Sequence, residues 1–391
     1  MSVVAERKQN CHGWMEDPGL GVYVHIPFCL HRCHYCDFNT YANQEGWHRA
    51  YVDALLRAIR RSPAGLGPAT SVFFGGGTPT LLAPSALAEI LAAIEDCVGI
   101  AAGAEVTAEA NPETVNPSVF EDLVRAGFNR FSIGVQSLVP GVLTGLGRTH
   151  SPQIALDALA AARRAGAGNL NADLIYGSPW EHARDWAATL EGIVEASPDH
   201  ISAYALTVEE GTPLATLVAG GRVPDVDPDV QAERFEAAEE HLGAAGYRRY
   251  EISNWARPGA ESRHNLLYWS AGDYLGFGAG AHGHVAGTRS WSVRLPRDFI
   301  AAVTEGRTTE AGREVLSADG RAGEALMLGL RLAGGIDVPG FERRFGARWL
   351  RSHHDALEKL IGQGLLERRG PVLRLAPHAT LLANDVVCRL L

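Results

Sequence analysis

No run of about 18 apolar residues, the length a bilayer-spanning helix needs, occurs in this chain. No short hydrophobic region follows a basic amino terminus either. The sequence offers neither a membrane span nor a signal peptide and reads as cytoplasmic. An excess of positive charge is also missing: 35 Lys and Arg face 45 Asp and Glu, for a formal net charge of -10 and a pI near 5.8. That excludes a nucleic-acid surface over the whole molecule, because phosphate affinity comes from a cationic field, and leaves room only for a local basic patch. Cysteine is scarce, and the six present show no paired framework of a secreted disulfide protein. Cys11, Cys97 and Cys388 are scattered; Cys97 falls on the apolar face of an expected helix and reads as a core thiol.

The other three cysteines lie within eight residues, in Cys29-Leu30-His31-Arg32-Cys33-His34-Tyr35-Cys36. Three thiolates at that spacing can hold three irons of a [4Fe–4S] cluster and leave the fourth iron without a protein ligand. The competing reading is a structural zinc site, which wants four ligands, usually from two separated pairs; no second pair exists, and His25, His31 and His34 would have to help.

Around this loop the apolar pattern alternates between strands and helices. Gly21–Ile26, Ser71–Phe74, Glu105–Ala110, Arg130–Val135, Leu170–Ile175 and His200–Leu206 read as strands. Helical spacing at Val52, Leu55, Leu56 and Ile59, at Leu87, Ile90, Leu91 and Ile94, and over 117–126 and 154–165 marks the crossovers. Six strands alternating with five helices predict a parallel α/β sheet, whose ligands bind at the carboxyl ends of the strands. The cysteine loop, Gly76-Gly77-Thr78, Glu109, Gln136 and Asp173 all fall at or just past such ends. A glycine edge offers backbone groups with no side chain in the way, and the carboxylate, amide and guanidinium groups of Glu109, Gln136, Arg148 and Asp173 suit a nucleoside's hydroxyls and a carboxylate.

In combination, the cysteine loop, Gly75-Gly76-Gly77-Thr78-Pro79, Glu109-Ala110-Asn111-Pro112, Arg130–Ser137 and Asn171–Gly177 resemble the radical S-adenosylmethionine (SAM) enzymes. They are most similar to the branch that contains oxygen-independent coproporphyrinogen III oxidase and the heme chaperone HemW. The resemblance spans about Gly21 to Trp291, with a weaker match beyond. It implies a partial (β/α)6 barrel over residues 20–295; the aperiodic, charged residues 1–19 with Pro18 read as a disordered leader, and the order of helices and a hairpin over 296–391 reads as a mostly helical, winged-helix-like module. It also implies that Cys29, Cys33 and Cys36 ligate [4Fe–4S] and that SAM chelates the fourth iron, to be cleaved to methionine and a 5′-deoxyadenosyl radical. The SAM contacts carried over are Tyr23, Gly76, Gly77, Thr78, Glu109, Gln136, Arg148 and Asp173. Two departures stand beside the site: His34, where the family often has Pro, and Ser178-Pro179-Trp180, where Leu-Pro and a small residue are usual.

The oxidases carry a fourth cysteine two residues past the triad; here that position is Phe38, as in the chaperones. Ser137, the run Leu146–His150 and His200-Ile201-Ser202-x-Tyr204-x-Leu206 also look chaperone-like. His264-Asn265-Leu266-Leu267-Tyr268-Trp269 resembles the heme-binding segment of that branch, and a His between aromatics can ligate heme iron while rings cover the porphyrin. His264 is therefore the expected heme ligand, with His282 in reserve. The expectation is a heme chaperone with an unnamed heme-acceptor protein; the alternative is the oxidase, decarboxylating coproporphyrinogen III propionates. The resemblance allows a flavodoxin or ferredoxin as electron donor, a homodimer and a peripheral membrane contact. Regulatory DNA binding through Arg343, Arg344, Arg368 and Arg369 of the winged-helix-like tail is the third class, disfavoured by the acidic chain.

Overall fold

A computed structural model describes residues 13–62 and 65–390. Its centre is the expected parallel array: β1 (Leu20–Ile26), β2 (Ala69–Gly76), β3 (Ile100–Ala110), β4 (Arg130–Gln136), β5 (Asn169–Tyr176) and β6 (His200–Ala205). Each strand pairs in parallel with the next. All seven residues of β4 are buried, which is the signature of a strand covered on both faces. The covering helices turn one apolar stripe inward; His48–Ile59 buries Tyr51, Val52, Leu55 and Ile59. Pro117 and Pro152 open their helices at N1, and the side chains of Asn116 and Ser151 accept the amide hydrogens of Val119 and Ile154.

The array is a partial barrel because β1 and β6 do not meet. β6 is bordered by the antiparallel pair β7 (Arg248–Arg249) and β8 (Asn254–Ala256). β1 is bordered by β9 (Asp273–Phe277), parallel to it, which leads into the antiparallel β10 (His282–Val285), β11 (Thr288–Ser292) and β12 (Glu310–Val315). All belong to one twelve-stranded sheet.

Two expected boundaries move. The barrel unit does not stop at residue 295: the helix Pro296–Thr304 sets Phe299 against Tyr51, ring centroids 5.4 Å apart, and β12 completes the sheet. Pairing across some twenty residues leaves no local periodicity to read. Likewise Gly13–Gly19 is not a disordered leader. Trp14 is 8% exposed and packs on Phe341 and Phe345, its N–H donates to Gly335 O, and Glu16 forms a two-pronged ion pair with Arg343. Cys11 and the rest of the leader lie outside the described residues.

The C-terminal module joins helices Ala318–Gly329, Val338–Phe345, Arg348–Ser352, His354–Gly362 and Ala383–Cys388 to a small sheet. The hairpin of Leu366–Arg369 and Val372–Leu375 turns at Gly370, whose φ is 58°, and Ile336–Asp337 adds a third strand. His353, whose ring stacks on Trp349 at 3.8 Å, separates the helices Arg348–Ser352 and His354–Gly362. The four arginines of the DNA-binding reading are engaged: Arg343 with Glu16, Arg344 with the carbonyls of Ser270 and Ala271, Arg368 with Glu358 and Arg369 with Glu367.

Because Trp14 ties the amino-terminal segment to this module through a buried aromatic cluster, Trp14→Ala should destabilise it by about 3 kcal/mol. Denaturant unfolding followed by hydrogen exchange checks this; unchanged protection across Ala318–Phe345 would refute the anchoring role.

Candidate cofactor and heme site

The carboxyl ends of the parallel strands surround a cavity of about 410 Å³. Cys29, Cys33, Cys36, Gly76, Gly77, Thr78, Glu109, Gln136, Arg148 and Asp173 all line it. Tyr23 does not. It faces an adjoining cavity of about 430 Å³, shared with His25, Tyr268, Tyr274 and His282, and its hydroxyl lies 2.9 Å from His25 Nδ1. The two cavities meet at Gly76, Glu109 and Phe38.

The cysteine loop hangs from β1 and is gripped from two sides. Thr78 Oγ1 donates to Cys29 Sγ at 3.7 Å, Cys36 Sγ lies 3.9 Å from Thr40 Oγ1, and Arg148 Nη1 donates to Cys33 Sγ at 3.4 Å. Burial raises the Cys29 thiol to about 11 and pushes Cys36 up as well. Thiolates become the stable form here only beside a cation. Among the described residues no three His, Cys, Asp or Glu converge on a single-ion position.

The rest of the rim is built for a polar ligand. Gly76, at φ 109°, and Gly77 leave their backbone bare for reasons of space: a Cβ on Gly76 would sit 2.3 Å from the His25 ring, and one on Gly77 2.5 Å from Phe28 O. Glu109 accepts the Gly76 N–H at 3.0 Å. Asp173 accepts from Ser132 Oγ and Asn171 Nδ2, both at 2.8 Å. Burial, then the charge of Asp173, pushes Glu109 up to about 8, and burial raises Asp173 too. Gln136 sits at a register shift of β4 with φ 60°, a conformation costing about 1 kcal/mol in a non-glycine residue. Its Oε1 is buried without a partner. A strained strand end carrying an orphaned acceptor fits a site whose ligand completes the hydrogen bonding, so the residues present fit SAM beside a cysteine-held cluster.

Sequence reasoning gave no role to Asn111, which accepts from Arg148 Nη2 at 2.8 Å and donates to Thr78 Oγ1 at 2.9 Å. Its place in Glu109-Ala110-Asn111-Pro112, one residue past β3, was the available signal. Tyr204, from the family-like segment His200–Leu206, is 42% exposed and lines the cavity from β6. The two departures from the family pattern prove to be neighbours. His34 Nδ1 lies 3.0 Å from Gly145 O, and the Trp180 ring lies 2.3 Å from where a Gly145 Cβ would be, so both pack on the short helix Pro140–Leu146.

The structure places His264 in the core. It is 1% exposed and lines none of these cavities. Its Nδ1 lies 2.8 Å from Ser71 Oγ, its Nε2 2.9 Å from Tyr268 OH, and its ring stacks on Phe73. Burial lowers its pKa to about 3. Both ring nitrogens are engaged in the core, and the imidazole braces Ser71 against Tyr268. His282 is exposed on the second cavity, its ring stacked 6.0 Å from that of Trp291.

Glu109 sets a measurable pH dependence. Its folded value of about 8 exceeds the ordinary 4.5, so the folded chain binds the extra proton between those limits. The associated stability is complete below 4.5 and is lost as pH rises towards 8. Glu109→Gln should flatten that decline; denaturant midpoints across the window, without SAM, check it, and parallel curves for both proteins would contradict the burial argument.

The chain matches the radical SAM superfamily over residues 23–193 and the HemN C-terminal domain over residues 316–382. It is 41% identical over 380 residues to the heme chaperone HemW of Mycobacterium tuberculosis, covering 95% of this chain and 94% of that one. It is 40% identical to HemW of Escherichia coli, covering 77% and 80%. A mitochondrial radical S-adenosyl methionine domain-containing protein 1 of Bos taurus is 40% identical, covering 79% and 67%. Coproporphyrinogen III oxidase (HemN) from Escherichia coli superposes with a TM-score of 0.82 over 97% of this chain and 92% of that one, at 23% identity, which is a likeness of fold. The chain belongs to the HemW family, a branch of the radical SAM superfamily.

Proposed function

We propose that this protein is a heme chaperone that holds a [4Fe–4S] cluster on Cys29, Cys33 and Cys36, binds SAM at the glycine edge and the strand ends, and carries one heme to an acceptor protein. The observation that carries the reading is the 41% identity to a heme chaperone over nearly the whole chain. Phe38, 65% exposed at the cavity mouth where the oxidases are expected to place a fourth cysteine, supports it.

When bound, the cluster and SAM supply one-electron chemistry. The chain's own residues orient and shield that pair. Gly76 and Gly77 present bare backbone, Thr78 and Arg148 hold the sulfurs of Cys29 and Cys33, and Glu109 and Asp173 set acceptors where hydroxyl or ammonium groups would lie. Tyr23 acts from the adjoining cavity through His25. A flavodoxin or ferredoxin would deliver electrons to the exposed side of the cysteine loop, where Leu30 is 43% exposed. No described helix is long and apolar enough to cross a membrane, so any membrane contact would be peripheral, and a homodimer remains part of the proposal.

Anaerobically reconstituted protein should take up one heme per chain and, given SAM and reductant, leave coproporphyrinogen unchanged. Formation of protoporphyrinogen would refute the chaperone reading. The triple variant Cys29→Ala, Cys33→Ala, Cys36→Ala should lose its iron and sulfide; retention of both would remove the cluster from this loop.

A further inference from the structure

Two acids face the cofactor cavity, and the side chains behind them differ. Glu109 accepts the backbone N–H of Gly76. Asp173 stands at the end of a file of side-chain hydrogen bonds that crosses the barrel interior from β5 to β6 and reaches the turn after β7. Asn171 Nδ2 donates to Asp173 Oδ1 at 2.8 Å, and Ser132 Oγ donates to Asp173 Oδ2 at 2.8 Å. Asn171 Oδ1 lies 2.7 Å from His200 Nδ1, and His200 Nε2 lies 2.9 Å from Tyr250 OH. Tyr250 OH is in turn 3.5 Å from Asn265 Nδ2. Asn265 belongs to the helix Arg263–Trp269, whose Tyr268 lines the cavity beside Glu109 and, with Tyr274, a further cavity of about 340 Å³ against the C-terminal module.

The chemistry of the members fixes the direction of every bond in the file. A carboxylate only accepts, so the Asn171 amide turns its nitrogen to Asp173 and its oxygen to His200. That oxygen also only accepts, so His200 carries its proton on Nδ1. Nε2 is then an acceptor, and the Tyr250 hydroxyl donates to it. All the donors point towards Asp173, and hydrogen bonds aligned in one sense strengthen one another. Burial holds the His200 imidazole well below its ordinary pKa, so the neutral form that this tautomer requires is the stable one.

A buried histidine is commonly a brace, as His264 is, with a hydroxyl on each nitrogen. His200 differs in where its chain leads. Asn171, His200 and Tyr250 are buried, and of these three and Asp173 only Asp173 lines the cavity. Apolar side chains would fill the same volume. Aimed donors, by contrast, hold a carboxylate in one place and favour its ionised form.

We propose that His200 is a positioning residue of the SAM site: acting through Asn171, it fixes the Asp173 carboxylate as the acceptor for a hydroxyl or ammonium group of SAM. The proposal rests on the reading of this cavity as the SAM site.

Equilibrium dialysis of radiolabelled SAM against the reconstituted full-length protein tests it. The wild-type chain should saturate at one SAM. His200→Leu, which removes the donor to Asn171, should weaken binding by about tenfold, the loss expected when one link of a buried polar network is removed. His200→Asn, whose amide N–H can stand where Nδ1–H does, should recover most of that loss. Tyr250→Phe keeps the ring and drops only the hydroxyl, and should weaken binding by less than His200→Leu. In an Asp173→Asn background, His200→Leu should bring no further loss, because the file no longer ends on a charge. Nitrogen-15 NMR of the full-length chain before reconstitution should show His200 as the Nδ1–H tautomer, identified by the signals lost in His200→Asn; an Nε2–H tautomer overturns the proposal. Circular dichroism and iron–sulfur content establish that each variant folds, and should leucine at this position prevent folding, wild-type affinity in Tyr250→Phe is enough to overturn the proposal. Wild-type affinity in His200→Leu, or an equal loss with and without Asp173→Asn, overturns the positioning role and leaves the SAM site standing; a wild-type chain that binds no SAM overturns both.

Discussion

Two backbone hydrogen bonds hold the cofactor cavity in register. Gly77 N–H donates to Ile26 O at 2.8 Å and Thr78 N–H to Phe28 O at 2.7 Å. The glycine run at the end of β2 is thereby stitched to the segment through which β1 enters the cysteine loop. Only a residue without Cβ fits at position 77, since any side chain would meet the Phe28 carbonyl. Once that junction is set, Thr78 lies under Cys29, Asn111 bonds Thr78, and Arg148 spans Asn111, Gly134 O and Cys33. The loop that carries the cluster ligands is thus positioned by strands it is not part of.

Burial then gives the cavity its chemistry. It disfavours the charges of both Glu109 and Asp173, and the charge of Asp173 adds to burial in disfavouring that of Glu109, while Arg148 contributes fixed positive charge beside Cys33. Left alone, burial favours the protonated forms of Glu109 and of the Cys29 and Cys36 thiols. Iron ions at the sulfurs and a cationic ligand at the acids reverse both preferences together, so cluster and SAM stabilise the same charge state of the site.

The parallel strands and their polar ends were legible because each is a short apolar run closed by a Gly, Pro or polar residue, and because β-α alternation leaves few topologies. Every cavity residue expected from the strand ends lines the cavity; Tyr23, which sits mid-strand on β1, faces its neighbour. What escaped the sequence depends on contacts between distant segments. Trp14 stands in an aperiodic stretch and gains its burial from Phe341 and Phe345; β12 is recognisable as barrel only through its pairing with β11; Asp273 and His284 meet because β9 and β10 run antiparallel. None of these leaves a periodic trace in its own neighbourhood.

The segment from His264 to Trp269 divides its histidine and its rings between two surroundings. Aromatics flanking a histidine suggest a ligand with covering rings, and the rings do face a cavity. The histidine, however, lies on the buried side of its helix. Glu105 accepts the backbone N–H groups of Arg263 and His264, pinning the helix start, and the imidazole then bridges Ser71 to the Tyr268 hydroxyl. That bridge fixes the Tyr268 ring, which stands edge-on to Tyr274 at 4.7 Å and forms the wall shared by two cavities. His264 therefore shapes both cavities through Tyr268, and losing it would free the wall they share.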